Sequence, residues 1–427
     1  MLPVVSIRHL RWIEYAYAAL MMFALTQGPV YQLWSRSAEY VVFSPRISVA
    51  HIYFATFVVA QLPALLILVR TISAKTFRNR ALQVLIALHA WLGLSVVWSV
   101  FARHSLPEFI ALSLSSAAGL YLAARFRNEE IWWIFLGSMS AGLILSLLAI
   151  SQQWNLSIDE TERYWIGIYY NRNSLAPVAG LALLASVGVL FDGRSRSGLR
   201  KNLAISIAVA AGVTALIILW RAESRTAPLA LLVALGALIL WRVLRTAWFG
   251  QRRVIRLLGT ARLSVGVVAV AVFVVLKNSA LISGLPSETA TFSSRAALWS
   301  QNWTGFLEKP LFGWGWLAAR HSNSFFRLGI WWVAEPTEWS HSGYYDLILG
   351  AGVLAGVLFI ILVFSAITAF DEPGREGLTI RFLSAGFVLT AATQESFFIG
   401  SHFLWVVLIW ALLAGIQPIA QTSSSNK

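Results

Sequence analysis

Apolar residues occupy runs of about twenty positions along most of the 427-residue chain, with short polar segments between them. A helix that crosses the roughly 30 Å hydrocarbon layer of a membrane needs about twenty such residues. The ten-residue polar–apolar alternation of barrel strands does not occur. The pattern predicts one all-α, polytopic integral membrane domain over residues 1–427. Its twelve expected transmembrane helices lie near 12–33, 49–69, 81–101, 108–124, 131–151, 173–191, 202–220, 227–241, 263–281, 342–368, 382–394 and 403–417.

The composition excludes a water-soluble globule. Hydrophobic residues make up 58% of the chain and charged residues 12%, with a mean hydropathy of +0.69, whereas soluble proteins carry roughly 25% charged residues. The chain has no cysteine, which excludes disulfides, thiolate metal sites and a cysteine nucleophile.

The net charge of +14 would in a soluble protein suggest a nucleic-acid partner. Here Lys and Arg concentrate in alternate loops, most densely in residues 242–262, and cytoplasmic loops retain such residues. This bias predicts that both termini are cytoplasmic, and no nucleic acid is needed to explain the charge. Residues 1–22 resemble a signal peptide, but Glu14 interrupts their apolar core and favours an uncleaved first span.

Two segments on the predicted outer side are longer than a helical bundle requires, 152–172 and 282–341. The second is rich in tryptophan, and within it residues 294–308 place Trp299 and Trp303 at helical spacing. We expect an amphipathic helix there, lying in the outer membrane interface. An ordinary interfacial belt of aromatic side chains explains many of the tryptophans equally well.

Arginines on the predicted outer side are exceptions to the bias that keeps Lys and Arg in cytoplasmic loops. They are therefore candidate site residues. Arg221 and Arg225 are four residues apart and would share one face if the helix continues. Two guanidinium groups can bind a diphosphate bidentately without losing a proton. Snorkelling to the interface or pairing with Glu223 would explain them without function. Arg295 opens the expected interfacial helix, while Arg172 and Asn173 lie at the mouth of the sixth span.

His341 begins the tenth expected span and is the candidate general base, because imidazole accepts protons near neutral pH. An interfacial histidine without chemistry is the alternative. Asp346 lies one turn deeper, and ionisable groups within spans are usually functional; Tyr344 and Tyr345 stand between them, and Glu395 is a further candidate. Glu335 and Glu338 are reserve proton acceptors. No zinc-hydrolase, serine-hydrolase, P-loop or dinucleotide motif is present, so neither a metal nor a cofactor is expected.

Several short motifs, in order and on the same predicted side, resemble the bacterial O-antigen ligase and polymerase superfamily, which includes exopolysaccharide polymerases. The resemblance covers roughly residues 165–400. Its motifs are GIYYNRNSLA at 167–176, SRT at 224–226, SRAALW at 294–299, EKPLFGWG at 308–315, HSGYYD at 341–346 and QES at 394–396. The chain departs from the usual residues of the superfamily at Ser342, Ser294 and Gly350. These differences put the identity of the acceptor in doubt.

The resemblance implies a metal-independent, inverting membrane glycosyltransferase in the bacterial cytoplasmic (inner) membrane, with its site facing the periplasm or exterior. The donor would be a glycan on a polyprenyl (undecaprenyl) diphosphate. Arg225 and Arg295 would bind the diphosphate, and His341 would serve the acceptor or the leaving group. Arg172, Arg221, Asn173, Tyr344, Tyr345, Asp346 and Glu395 would line the substrate site.

Two products remain open within the superfamily. A polymerase would transfer the glycan to another lipid-linked unit, and a ligase would transfer it to a different acceptor, such as a lipid A core saccharide. Outside the superfamily, a secondary transporter or flippase of an anionic lipid-linked glycan could use the same arginines without chemistry. Transporters tend to carry internal repeats, broken helices and midplane charges. In this sequence the polar groups gather at the outer mouth and the two halves show no similarity, which favours the enzyme.

Overall fold

The computed structural model describes residues 7–34, 49–154, 157–159, 163–192, 199–248, 290–318, 340–367, 378–413 and 416. Within these ranges the backbone forms α-helices, one 3₁₀ turn at Thr76–Arg78 and an isolated antiparallel bridge between Ile158 and Trp165. The helices are α1 (Ile7–Leu25), α2 (Gly28–Trp34), α3 (Val49–Thr71), α4 (Arg80–Ser95), α5 (Ala102–Arg125), α6 (Asn128–Ser151), α7 (Arg172–Asp192), α8 (Leu199–Arg221), α9 (Thr226–Trp248), α10 (Ala290–Glu308), α11 (Gly343–Ile367), α12 (Leu378–Ala391) and α13 (Phe403–Leu412).

Among the described helices, six are long and apolar enough to cross a membrane, and four shorter apolar helices accompany them. The six candidate spans are Phe54–Thr71, Ala102–Arg125, Asn128–Ser151, Arg172–Leu190, Leu199–Arg221 and Gly343–Ala366. The predicted class, a helical multi-pass membrane protein, is therefore confirmed. The total of twelve spans stays a prediction, since the expected helix at 263–281 lies outside the described residues.

Helix α7 lies among four neighbours, packing against α6, α8, α9 and α12. Small side chains make these approaches close, as is usual between helices in membranes. On α8 they form the stripe Ala204, Ala208, Gly212 and Ala215, all buried. On α7, a side chain at Gly180 would clash with the ring of Phe387 on α12. The N-terminal end of α7 is thereby held against α9 and the end of α12.

Two spans expected to be continuous are broken in the structure, which corrects the prediction. The expected helix 12–33 divides into α1 and α2 at Gln27, whose φ is +71°. The expected helix 342–368 contains a kink at Ala351 and Gly352, where φ and ψ are not helical. Apolar runs do not reveal such breaks, because the residues at the break remain apolar or neutral.

The last two described helices are short and are joined by a buried link, residues 392–402. Helix α12 has 14 residues and α13 has ten, and ten residues rise only about 15 Å. Helix α12 ends at Ala391, before Glu395. The link therefore carries Glu395 as non-helical backbone at the end of the bundle where α7, α9 and α11 begin. We call this end the site end.

The amphipathic helix expected at 294–308 is contained in α10, which begins slightly earlier, at Ala290. Its helical form is thus confirmed. Its position in the membrane interface stays a prediction. Helix α10 packs along α11 and thereby brings Arg295 to the site end.

Candidate functional site

Glu395 is the common partner of three side chains from three different elements. Its Oε1 accepts hydrogen bonds from Asn173 Nδ2 on α7 and from Arg295 Nη2 on α10, both at 2.7 Å. Its Oε2 lies 3.0 Å from Nδ1 of His341, just before α11. A carboxylate can only accept here, so Asn173, Arg295 and His341 all donate to it. The structure thus joins four predicted site residues around one carboxylate.

Arg295 is held in place from two sides. Besides its ion pair with Glu395, its Nη1 donates to Gln394 Oε1 at 3.3 Å. The side chains of Arg295 and Glu395 are 14% and 13% exposed, so water screens the pair only partly. The guanidinium has five N–H donors, and the contacts described use only some of them. Arg295 can therefore bind an anion while it remains attached to the link.

His341 is the most open member of the group, with 40% of its side chain exposed. Its backbone is in the left-handed region, at φ +50°, a conformation that non-glycine residues adopt at a cost and often at functional sites. The Glu395 carboxylate favours the tautomer with the proton on Nδ1, and in the neutral form of that tautomer Nε2 keeps its lone pair. This is the arrangement required of a base whose tautomer is set by a carboxylate.

Arg225 stands immediately before α9, with its side chain exposed. Its neighbour Ser224 is buried, and Ser224 Oγ donates to Asn173 Oδ1 at 2.9 Å. Asn173 thus connects the start of α9 to Glu395 through its two amide atoms. Arg225 is the next residue after Ser224, so the hydrogen bond between Ser224 and Asn173 also holds the backbone of Arg225 in place.

The common helical face expected for Arg221 and Arg225 is not formed, which corrects that prediction. Helix α8 ends at Arg221, and Glu223 has φ +52°, so the chain turns before α9 begins. Arg221 instead lies over the ring of Trp165, with the guanidinium carbon 5.0 Å from the ring centre. Arg172 is placed similarly, 4.4 Å from the ring centre of Tyr164. Both are cation–π arrangements.

Asp346 is buried and faces the turn before α11. Ser340 Oγ donates to Asp346 Oδ1 at 2.6 Å, and the indole of Trp299 donates to the Ser340 carbonyl at 3.1 Å. These contacts shape the backbone that presents His341. The reserve acceptors Glu335 and Glu338 lie outside the described residues.

The two tyrosines of the HSGYYD motif pack the start of α11 against neighbouring helices. Tyr344 donates its hydroxyl to the Leu389 carbonyl of α12 at 2.7 Å, and its ring packs edge-on against Phe398. Tyr345 stacks with Trp299 of α10, with ring centres 6.3 Å apart. Neither contact is evidence for substrate binding, so the binding roles predicted for Tyr344 and Tyr345 stay predictions.

His402 lies in the same link as Glu395 but has a different environment. It caps α13, where its Nδ1 accepts from the Leu404 N–H, and its ring lies between Phe397 and Phe403. Burial lowers the pKa of His402 to about 3. A buried, neutral histidine between two phenyl rings is poorly placed to exchange protons with a substrate, so we do not count His402 among the candidate proton acceptors.

Sequence reasoning missed Ser224, Ser340 and Gln394 as site residues. Ser224 and Gln394 stand inside the quoted SRT and QES motifs, so their neighbourhood was a signal. Ser340 carried none, because its role arises from contacts with Trp299 and Asp346.

These features define a helical membrane protein with a cation-rich polar site at one end of its bundle. A family model described as O-antigen ligase matches residues 210–360. The matched segment contains Arg225, Arg295 and His341, and it confirms the resemblance to the O-antigen ligase and polymerase superfamily over that part of the chain. The match supports a membrane glycosyltransferase of this type. No curated protein matches the chain.

Proposed function

We propose that the protein transfers a glycan, with inversion and without a metal, from a polyprenyl-diphosphate donor to an acceptor sugar hydroxyl. The reaction takes place on the outer side of the bacterial cytoplasmic membrane. The observation that carries the proposal is the shared carboxylate of Glu395, which holds an anion-binding arginine and an open imidazole in one site. The family match supports the reaction class.

The donor diphosphate lies between Arg225 and Arg295. As the glycosidic C–O bond breaks, its electron pair passes to a phosphate oxygen, and preorganised guanidinium groups stabilise the charge that develops there. Arg172 and Arg221, held against aromatic rings, add positive potential nearby. Since arginine keeps its proton at any physiological pH, this stabilisation needs no divalent ion.

His341 receives the acceptor proton. The acceptor hydroxyl oxygen attacks the anomeric carbon from the face opposite the diphosphate, the new C–O bond forms, and the proton passes to Nε2. The carboxylate of Glu395 stabilises the resulting imidazolium through Nδ1–H. The products are the extended or ligated glycan and polyprenyl diphosphate. The His341 imidazolium then releases its proton to solvent, which restores the base for the next turnover.

The decisive experiment uses purified protein in liposomes with a lipid-diphosphate oligosaccharide and an acceptor, and it measures the release of polyprenyl diphosphate. Removing one electrostatic donor typically costs about 10²–10³-fold in rate, so Arg225→Ala should reduce release by that factor. Removing a general base costs about 10²–10⁴-fold, and His341→Ala should reduce release within that range. Arg200→Ala, an exposed arginine at the start of α8, is the matched control and should keep the wild-type rate. Wild-type rates in both site variants would overturn the assignment.

The same assay separates the rival functions. A transporter or flippase would move the lipid-linked glycan across the bilayer without releasing polyprenyl diphosphate. The mass of the glycan product then distinguishes a polymerase, which lengthens a lipid-linked glycan, from a ligase, which attaches the glycan to another acceptor.

A further inference from the structure

The EKPLFGWG motif at 308–315 has no direct part in the proposed chemistry. We propose that residues 309–316, which we call the latch, position the site by holding α10, with Arg295, at a fixed place beside α11 and His341. The activity readout of this proposal rests on the proposed function. The structural part of the proposal depends only on the backbone hydrogen bonds described below.

Helix α11 is interrupted at one point, and the backbone groups there need hydrogen-bond partners from other segments. Ala351 and Gly352 have non-helical φ and ψ, so the N–H of Val353 cannot bond to the Leu349 carbonyl four residues earlier. Helix α11 is among the candidate spans, and in an apolar layer unpaired backbone groups cost several kcal/mol. The break is therefore stable only if other segments supply hydrogen bonds.

The latch supplies three of these bonds. The Trp314 N–H donates to the Leu349 carbonyl at 2.7 Å, and the Gly315 N–H donates to the Gly350 carbonyl at 2.9 Å. In return, the Val353 N–H donates to the Pro310 carbonyl at 2.7 Å. The latch thus replaces the missing turn of α11.

A fourth bond comes from α4. The indole of Trp91 donates to the Ala351 carbonyl at 2.7 Å, and the ring of Trp91 packs near those of Trp98 and Phe312. The indole of Trp98 donates to the Phe312 carbonyl at 3.0 Å. The second half of the latch, residues 313–316, is therefore buried between α11 and the end of α4, whereas Leu311 and Phe312 are exposed.

Two glycines make this close approach possible. Gly313 has φ +68°, and a Cβ there would lie 2.6 Å from the Leu349 carbonyl oxygen. Gly352 has φ +74°, and its Cβ would lie 2.1 Å from the Leu311 carbonyl oxygen. Any other residue at either position would both strain the backbone and push the latch out of the break.

The latch acts together with a second attachment near His341. There, α10 is bound to α11 through Trp299 and Asn302, which both donate to the Ser340 carbonyl. The latch follows directly after Glu308, the last residue of α10. One attachment would let α10 pivot, whereas two fix its position along α11. The distance from the Arg295 guanidinium to the imidazole of His341 is thereby held constant.

The first test is Gly313→Ala, compared with Gly137→Ala, because a Cβ at Gly137 meets nothing within 4 Å. A displacement of about 1 Å can cost roughly 10²-fold in rate. For Gly313→Ala we expect kcat for polyprenyl diphosphate release, per folded molecule, to fall about 10–100-fold, with the donor KM within about threefold. Gly137→Ala should behave as wild type. Trp91→Phe, which removes only the indole donor, should show a smaller fall in kcat. Unchanged kcat in Gly313→Ala and in Trp91→Phe, or a loss explained entirely by less folded protein, overturns the proposal.

A second measurement does not depend on activity. The chain has no cysteine, so spin labels can be attached after Trp303→Cys on α10 and Leu354→Cys on α11, both exposed positions. We expect one narrow distance distribution, broadened by Gly313→Ala and unchanged by Gly137→Ala. An unchanged distribution in Gly313→Ala overturns the latch. Broadening together with no polyprenyl diphosphate release from the wild-type protein refutes the proposed function alone.

Discussion

Glu395 shows how one side chain can organise a site built from distant parts of the chain. Its two oxygens accept hydrogen bonds from Asn173, Arg295 and His341. The negative charge holds the guanidinium and selects the tautomer of the imidazole. We therefore propose that Glu395 positions His341, in addition to its predicted place in the substrate site.

Replacing the carboxylate by an amide tests this role. In Glu395→Gln the charge that stabilises the His341 imidazolium is lost, while most of the volume remains. We expect the rate of polyprenyl diphosphate release to fall about 10²-fold, within the range of a general-base contribution. The donor KM should change by less than this factor, because Arg295 loses its ion pair with Glu395 whereas Arg225 is unchanged. Glu129→Gln, an exposed glutamate at the other end of the bundle, should leave the rate unchanged. Wild-type activity in Glu395→Gln would remove the carboxylate from the mechanism.

At the scale of elements, the helices are tied by charges at the end of the bundle opposite the site. Glu14 of α1 accepts from Arg125 of α5 at 2.7 and 2.9 Å and from Arg11 at 3.0 Å. Arg11 also pairs with Glu130 of α6 at 3.0 Å. The carboxylate that interrupts the first apolar run thus forms an interhelical contact.

Removing the charge of Glu14 should loosen these three helices. A partly buried hydrogen bond between charged groups contributes about 1.5–3 kcal/mol, and an unsatisfied partner adds a desolvation cost. We expect Glu14→Gln to lower the unfolding free energy by about 1–3 kcal/mol, observed as a lower Tm in detergent by tryptophan fluorescence. For Glu129→Gln the change should stay within about 0.5 kcal/mol. Equal Tm values for the two variants would mean that the network contributes nothing to stability.

For the whole molecule, the bias of Lys and Arg predicts which side of the membrane the site faces. Residues 70–80 are basic and are predicted to be cytoplasmic, whereas the site lies at the opposite end of the bundle. This orientation is what the proposed lipid-linked donor requires. Absolute orientation follows from insertion rather than from helix packing, so an experiment in membranes must determine it.

Single cysteines can report the orientation directly, because the chain has none of its own. In intact spheroplasts, a membrane-impermeant maleimide should label Gln152→Cys, next to the site end. It should label Lys75→Cys, in the basic loop, only after permeabilisation. Both positions are exposed. The reverse pattern would place the site in the cytoplasm and contradict the proposed reaction.

The class of protein and the approximate positions of most described helices follow from the sequence alone, and so do the residue types of the candidate site. Span length, charge bias and short motifs are local properties, so they can be read without knowing which segments meet. The apolar runs of α6 and α7, for example, lie within a few residues of the observed helix ends.

Which of these residues come together depends on the packing of segments that are far apart in the chain. Asn173 and Glu395 are separated by 222 positions, and no local pattern indicates that they share a hydrogen bond. The break in α11 is equally invisible, because its stability comes from backbone groups of the latch and not from its own side chains. The turn between Arg221 and Arg225 likewise depends on the packing of α8 and α9 against α7. Contacts between distant segments assemble the site, and they exist only once the helices have packed.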